Sequence, residues 1–194
     1  MTMANNPLNT DLLDRAVIFA VKAHAGTERR GKGFPYIVHP MEAMEIVSTM
    51  TSDQELLAAA ALHDTVEDTD VTVEQLRALF GERIASIVAA ESDSVIEGQN
   101  EQESWRARKQ AGIERLKDAP REVKIVALGD KLSNMRSIAR DYAAQGDGLW
   151  SLFHVSDPSE HAWRYRALAE ALKDLEDTAA YGEFVSLIDK VFGQ

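Results

Sequence analysis

The sequence predicts an all-α protein, a helical bundle of about eight to ten helices. Apolar residues recur at three- and four-residue spacing in segment after segment, and the strict alternation of a half-buried strand is nearly absent. Helix-start signals, namely Ser, Thr or Asp caps and prolines suited to a first turn, precede most of these segments. With 194 residues, 45% of them hydrophobic and 27% charged, the chain can bury one substantial core. No repeat, low-complexity segment or Pro/Gly/Ser-rich linker interrupts it, so residues 1–194 are expected to form one domain.

The first helix is expected to be capped by Asn9 or Thr10, with Asp11 and Asp14 favoured by the helix dipole and Leu13, Val17, Ala20 and Val21 facing the core before Gly26. A glycine-rich loop follows, GTERRGKGFP, the most basic stretch of the molecule. It leads through Tyr36 and His39 to Pro40, which suits the first turn of a helix over Met41–Met50. Asp53 should cap a third helix with Leu56, Leu57, Ala60 and Ala61 inward and His63-Asp64 at its end. Thr72 should cap a short helix through Leu79, closed by the turn at Phe80-Gly81. Another helix from about Arg83 enters a polar stretch, Glu91 to Gln102, expected to be exposed and mobile. Helices are expected from Glu103 to Lys117, Pro120 to Ala143, Pro158 to Leu175 and Thr178 to Phe192, with a shorter one near Trp150.

Composition narrows the chemistry. There is no cysteine, which excludes disulfides, thiolate metal sites and thiol catalysis, so any metal must use His, Asp or Glu. The net charge of −11 argues against a nucleic acid polymer as partner. A small anionic molecule remains compatible, because a metal and a few arginines can reverse the potential within one pocket. The start of the chain lacks a signal-peptide pattern and no run is long enough to span a bilayer, so a cytoplasmic location and no membrane partner are expected. A homo-oligomer is compatible with the sequence.

The sharpest local signal is His63-Asp64-Thr65-Val66-Glu67-Asp68 at the end of an apolar segment. If the helix continues, Glu67 lies one turn beyond His63, and Asp68 one turn beyond Asp64. A solvated acidic helix end is the plain alternative, but the preceding LLAAAAL delivers the imidazole and carboxylate to an interior position where both need a partner. His39 lies just upstream. His24 is either near the site or a hydrogen-bonded core histidine, and His154 and His161, flanking an Asp-Pro turn, read as surface residues. In VKIVALGDKLSNMRSI, Asp130 shares a face with Val123, Val126, Ala127, Asn134 and Ile138, so it is either a ligand or the partner of a nearby Lys or Arg. Two histidines and two carboxylates suit manganese, iron(II) or zinc better than calcium.

Taken in order, AHAG, PYIVHP, AAALHDTVEDT and ALGDKLSNMRSI resemble the HD-type hydrolase domain of the bacterial alarmone synthetase/hydrolases, and most of all the stand-alone small alarmone hydrolases. The similarity extends over nearly the whole chain, including SWRARKQ and AWRYRALAEAL. The resemblance implies an HD-domain helical bundle in which His39, His63, Asp64 and Asp130 bind one divalent metal, usually Mn2+. It implies that Glu67 and Asp68 position or deprotonate the attacking water, that Arg30 and Tyr36 contact base or ribose, and that Asn134 lies near sugar and phosphate. Lys32, Trp105, Lys109 and Arg166 are further candidates for the nucleotide. The implied reaction removes 3′-pyrophosphate from guanosine tetra- or pentaphosphate, giving GDP or GTP and lowering alarmone levels, in a chain without room for synthetase domains. Many relatives read RKSGEPY where this chain reads RGKGFPY, with Gly31 at the usual Lys and Lys32 one place later, which leaves adenosine alarmones or a 2′- or 3′-phosphorylated nucleotide such as NADPH as alternative substrates. A non-catalytic nucleotide-binding HD protein is the alternative of another class.

Overall fold

A computed structural model describes residues 8–29, 31–91 and 101–193, the side chains of 101–104 excepted. The helices run α1 (Asp11–Ala23), α2 (Val38–Ser48), α3 (Gln54–Leu62), α4 (Thr65–Asp68), α5 (Val73–Phe80), α6 (Glu82–Glu91), α7 (Glu101–Lys117), α8 (Arg121–Gln145), α9 (Pro158–Ala171) and α10 (Ala179–Phe192). Short 3₁₀ turns occupy Gly146–Leu152 and Lys173–Leu175. Among the described residues the sole β feature is one antiparallel bridge, Glu28 to Pro35, which pinches the basic loop. The predicted all-α bundle is what forms.

Local signals set several ends. Asp53 has an extended backbone, and its carboxylate accepts from the Glu55 N–H at 3.0 Å. Thr72 and Gln75 form a reciprocal capping box, and Gly81 closes α5 at φ +92°, a left-handed value that a side chain would strain. Thr178 caps α10, and Asp157 with Pro158 opens α9. Other ends differ from expectation. Helix α2 begins at Val38, so His39 and Pro40 both lie in its first turn. The expected single helix over Pro158–Leu175 breaks at Leu172 into a 3₁₀ turn. On α1 the buried positions are Ala16 and Ala20, while Val21 is 47% exposed, because the helix turns its small-residue face to α3 and lets the two backbones approach. The expected mobile stretch lies, for residues 92–100, outside the described residues, but at its start the Glu91 side chain is only 6% exposed.

The core forms around two helices. α3 is buried almost all round, from Leu56 through Ala58–Leu62, between α1, α2, α6 and α8. α8, about 37 Å long, packs against α2, α3, α6 and α10. The closest approach is at Gly129, where an added Cβ would lie 2.6 Å from Val47 Cγ2 and 2.8 Å from the Ala43 carbonyl oxygen. Only glycine lets α8 lie this close to α2, and that contact sets His39 on one helix opposite Asp130 on the other. Among the described residues no helix is long and apolar enough to cross a membrane.

Candidate metal centre and its cavity

Three elements bring the centre together: the first turn of α2 supplies His39, the end of α3 supplies His63 and Asp64, and the middle of α8 supplies Asp130. His39 Nε2 lies 3.1 Å from Asp130 Oδ1 and 3.4 Å from Asp64 Oδ2. His63 Nε2 lies 3.0 Å from Asp64 Oδ2 and 3.6 Å from Asp130 Oδ1. His39, His63 and Asp130 are all buried, and each offers a ligand atom within 4.8 Å of the others, a group that could hold a metal ion. Asp64 faces the same two imidazoles and accepts a 2.7 Å hydrogen bond from the Tyr36 hydroxyl.

The donor chemistry fits a divalent ion. His63 Nδ1 lies 2.8 Å from the Ala60 carbonyl, which only accepts, so Nδ1 carries the proton and Nε2 of the neutral ring presents a lone pair. That Nε2 is buried without a hydrogen-bond partner, the pattern of an imidazole ligand oriented from behind by a backbone carbonyl. Asp130 divides its two oxygens. Oδ2 is taken by Lys131, whereas Oδ1 faces the imidazoles and accepts from Asn134 Nδ2. The ion-pair reading of Asp130 therefore holds for Oδ2, while Oδ1 is left facing the imidazoles. Burial would raise the pKa of Asp130 and Asp64, but Lys131 and the imidazoles for the first, and His63 and His39 for the second, hold both carboxyls well below the usual range. Burial disfavours a charged His63, yet the facing carboxylates outweigh it and raise its pKa well above the ordinary histidine value.

The centre opens into a cavity of about 480 Å³, within the size range of small-molecule sites. Glu67 and Asp68 line it beside Asp64, but not on a continued helix: α3 stops at Leu62, and the chain turns at His63-Asp64 into α4. Desolvation pushes the Asp68 carboxyl above its ordinary value, with the Asp64 charge adding and Tyr36 opposing. Arg29, Lys32, Lys109, Arg115, Lys131 and Arg164 place positive charge along the same wall, although the chain is acidic as a whole. Tyr36, Asn134 and Trp105 also line it.

The remaining predicted residues fall out unevenly. Arg30 lies outside the described residues. Its neighbour Arg29 reaches inward, donating to Asn134 Oδ1 at 2.6 Å and lying over the Tyr36 ring. Asn134 is therefore already engaged on both ends of its amide, by Arg29 and by Asp130. Lys32 pairs with Asp141 on α8. Gly31 adopts φ +69°, a backbone that a lysine there would find strained. Arg166 does not line the cavity, and its guanidinium binds the Phe192 and Gly193 carbonyls at the end of α10. Arg164 lines it instead, and helical spacing could have shown this, since it shares a face with His161 and Leu168.

His161, expected at the surface, is 3% exposed, packed against Trp150 and Phe153 and bonded through Nε2 to the Val155 carbonyl. His154 is exposed and lines the cavity. His24 is buried outside the metal group, its ring 4.9 Å from that of Tyr36 and tilted 33° to it, with neither ring nitrogen hydrogen-bonded. Glu91 and Lys131 were not singled out by sequence, because their pairing joins residues forty positions apart.

A helical bundle with an HD pair, a second histidine and a distal aspartate around one buried point defines the HD-domain class, and the HD domain family profile matches residues 16–153. The chain belongs to the HD domain family. Within it the chain belongs with the guanosine-3′,5′-bis(diphosphate) 3′-pyrophosphohydrolases. It is 37% identical to that enzyme, MESH1, from Danio rerio over 138 residues, covering 70% of this chain and 73% of the relative. It is 38% identical to a probable guanosine-3′,5′-bis(diphosphate) 3′-pyrophosphohydrolase of Synechocystis over 66% of this chain, but spans only 17% of that protein's length. Among solved structures, a metazoan orthologue of SpoT that hydrolyses ppGpp superposes with a TM-score of 0.77 over 97% of this chain and 99% of that one, at 21% identity, which establishes the shared fold. Protein lmo0812 of Listeria monocytogenes gives a TM-score of 0.70 at 27% identity, over 80% of this chain and 99% of that one.

Proposed function

We propose that this chain, as a single HD-type unit, is a metal-dependent hydrolase that removes 3′-pyrophosphate from guanosine tetra- or pentaphosphate, with His39, His63, Asp64 and Asp130 holding one divalent ion, Mn2+ by family preference. The observation that carries the reading is a buried pair of imidazoles and carboxylates, one imidazole Nε2 left without a hydrogen bond, at the head of a cavity walled by cations. The relatives' printed activity points to the same reaction. A bound divalent ion supplies Lewis acidity, lowering the pKa of water to near neutrality.

The chain's own residues account for the rest. Glu67 and Asp68 orient a water for in-line attack on the 3′ phosphorus, and Asp68, its proton affinity raised, accepts the water proton; the P–O3′ bond breaks, pyrophosphate leaves with the water oxygen, and the ribose 3′ oxygen takes up a proton to become the hydroxyl of GDP or GTP. Arg29, Lys109 and Arg164 neutralise phosphate oxygens, and Trp105 offers a face to the base. Tyr36 and Lys131 fix the two carboxylates so that they do not turn away from the imidazoles.

Incubation of Mn2+-loaded and chelator-treated protein with guanosine tetraphosphate, with an Asp64→Ala control, tests the reading. GDP and pyrophosphate should appear only with metal and intact Asp64. Tight nucleotide binding without turnover would favour a binding protein, and turnover only of adenosine analogues or NADPH would move the substrate.

A further inference from the structure

Behind His39, away from the cavity, a chain of polar groups runs through the interface of α2 and α8. His39 Nδ1 lies 2.8 Å from Ser133 Oγ, and Ser133 Oγ donates to Glu42 Oε2 at 2.7 Å. Ser133 is 1% exposed, so its hydroxyl has no competing water. A carboxylate oxygen only accepts, and a serine hydroxyl has a single proton. With that proton directed at Glu42, Ser133 can only accept from the imidazole. Nδ1 of His39 must therefore carry the hydrogen, and the lone pair of the neutral ring falls on Nε2, facing Asp130.

Glu42 is held in turn. Its other oxygen, Oε1, lies 3.5 Å from an Arg136 nitrogen, and Arg136 is gripped by Glu183 of α10 through two parallel bonds of 2.7 and 2.8 Å. The carboxylate is thus pinned at one end and free to accept at the other.

We propose that Ser133 and Glu42 are positioning residues for the metal centre, fixing His39 in its Nδ1-protonated form so that Nε2 is presented as a ligand. The inference rests on the proposed metal site. It predicts that the two ligand histidines are oriented by different devices, a backbone carbonyl for His63 and a replaceable side-chain relay for His39. Outer partners of this kind are worth about 10–100-fold in metal affinity.

The test measures Mn2+ affinity of the full chain by calorimetry, without nucleotide, for wild type, Ser133→Ala, Glu42→Ala, Glu42→Gln and, as a ligand control, His63→Ala. Ser133→Ala and Glu42→Ala should bind about 10–100-fold more weakly, with metal-free unfolding midpoints close to wild type. Glu42→Gln should stay near wild type, since its amide oxygen still accepts the serine proton. In Zn2+-loaded wild type the His39 Nδ1 proton should give a slowly exchanging resonance that Ser133→Ala loses. Wild-type affinity in Ser133→Ala and Glu42→Ala, with binding lost in His63→Ala, would overturn the relay and leave the metal site standing. Equal weakening by Glu42→Ala and Glu42→Gln would overturn its hydrogen-bond basis. Absence of Mn2+ binding by wild type would overturn both readings.

Discussion

Replacing Gly129 by alanine probes the contact on which the centre's geometry depends. The new Cβ would meet Val47 Cγ2 at 2.6 Å and the Ala43 carbonyl at 2.8 Å, and one of these obstacles is backbone. Bringing both to the 3.4 Å of ordinary contact requires α2 and α8 to part by roughly 0.6–0.8 Å. Overpacking of this kind costs about 1–3 kcal/mol, against about 1 kcal/mol gained because alanine favours helix over glycine. The net loss of stability is therefore small, about 0–2 kcal/mol. The effect on the centre is larger, because His39 rides on α2 and Asp130 follows Gly129 directly, and a site of this kind tolerates only about 0.5 Å of displacement. Gly129→Ala should fold, lose little in urea midpoint, and bind Mn2+ at least about tenfold more weakly. A variant with both wild-type midpoint and wild-type Mn2+ affinity would refute the claim that this helix approach sets the metal geometry.

Two further predictions follow from side chains that sequence placed wrongly. Arg164→Ala should raise KM for the nucleotide several-fold with little change in stability, whereas Arg166→Ala should leave KM unchanged and slightly lower the unfolding midpoint by freeing the end of α10; steady-state kinetics and thermal melts on the pair decide it. Burial lowers the pKa of His161, so the unfolded chain takes up a proton near the ordinary value of 6.5 that the folded chain refuses. Its contribution is complete above that value and is lost as pH falls toward the folded pKa, so as pH falls below about 6.5 wild type should lose more stability than His161→Gln, and parallel urea midpoints would contradict this.

The parts of the molecule written in short range were legible. Asp53, Thr72, Thr178 and the Asp157-Pro158 pair each announce a helix within three or four residues, and each does so in the structure. His63 and Asp130 stood out because polar groups on apolar surfaces need partners, His39 was marked by its place just upstream and by the family resemblance, and the three converge. Pairings across long separations were not legible: Lys32 with Asp141, Arg29 with Asn134 and Lys131 with Glu91 depend on how loop and helices dock. Pro40 suits any position in a first turn, so it could not fix the start of α2 at Val38. His161 was misjudged because the adjacent Asp-Pro turn suggested exposure, while the aromatic residues that enclose it are Trp105 of α7, Trp150 of the 3₁₀ segment and Phe153 just after it.

The cavity wall is divided along the chain. His39, Asp64, Glu67, Asp68 and Asp130 fall within residues 16–153, the stretch shared with the HD family, whereas His161, Arg164, Tyr165 and Leu168 of α9 line the cavity from beyond it. The proposed metal-binding and catalytic residues and this α9 part of the enclosure thus belong to separate stretches of polypeptide. Substitutions in α9 can reshape what the cavity admits while the ligand geometry, fixed between α2, α3 and α8, is left intact. A scaffold built this way can change one wall of its cavity without disturbing the histidines and carboxylates gathered at its head.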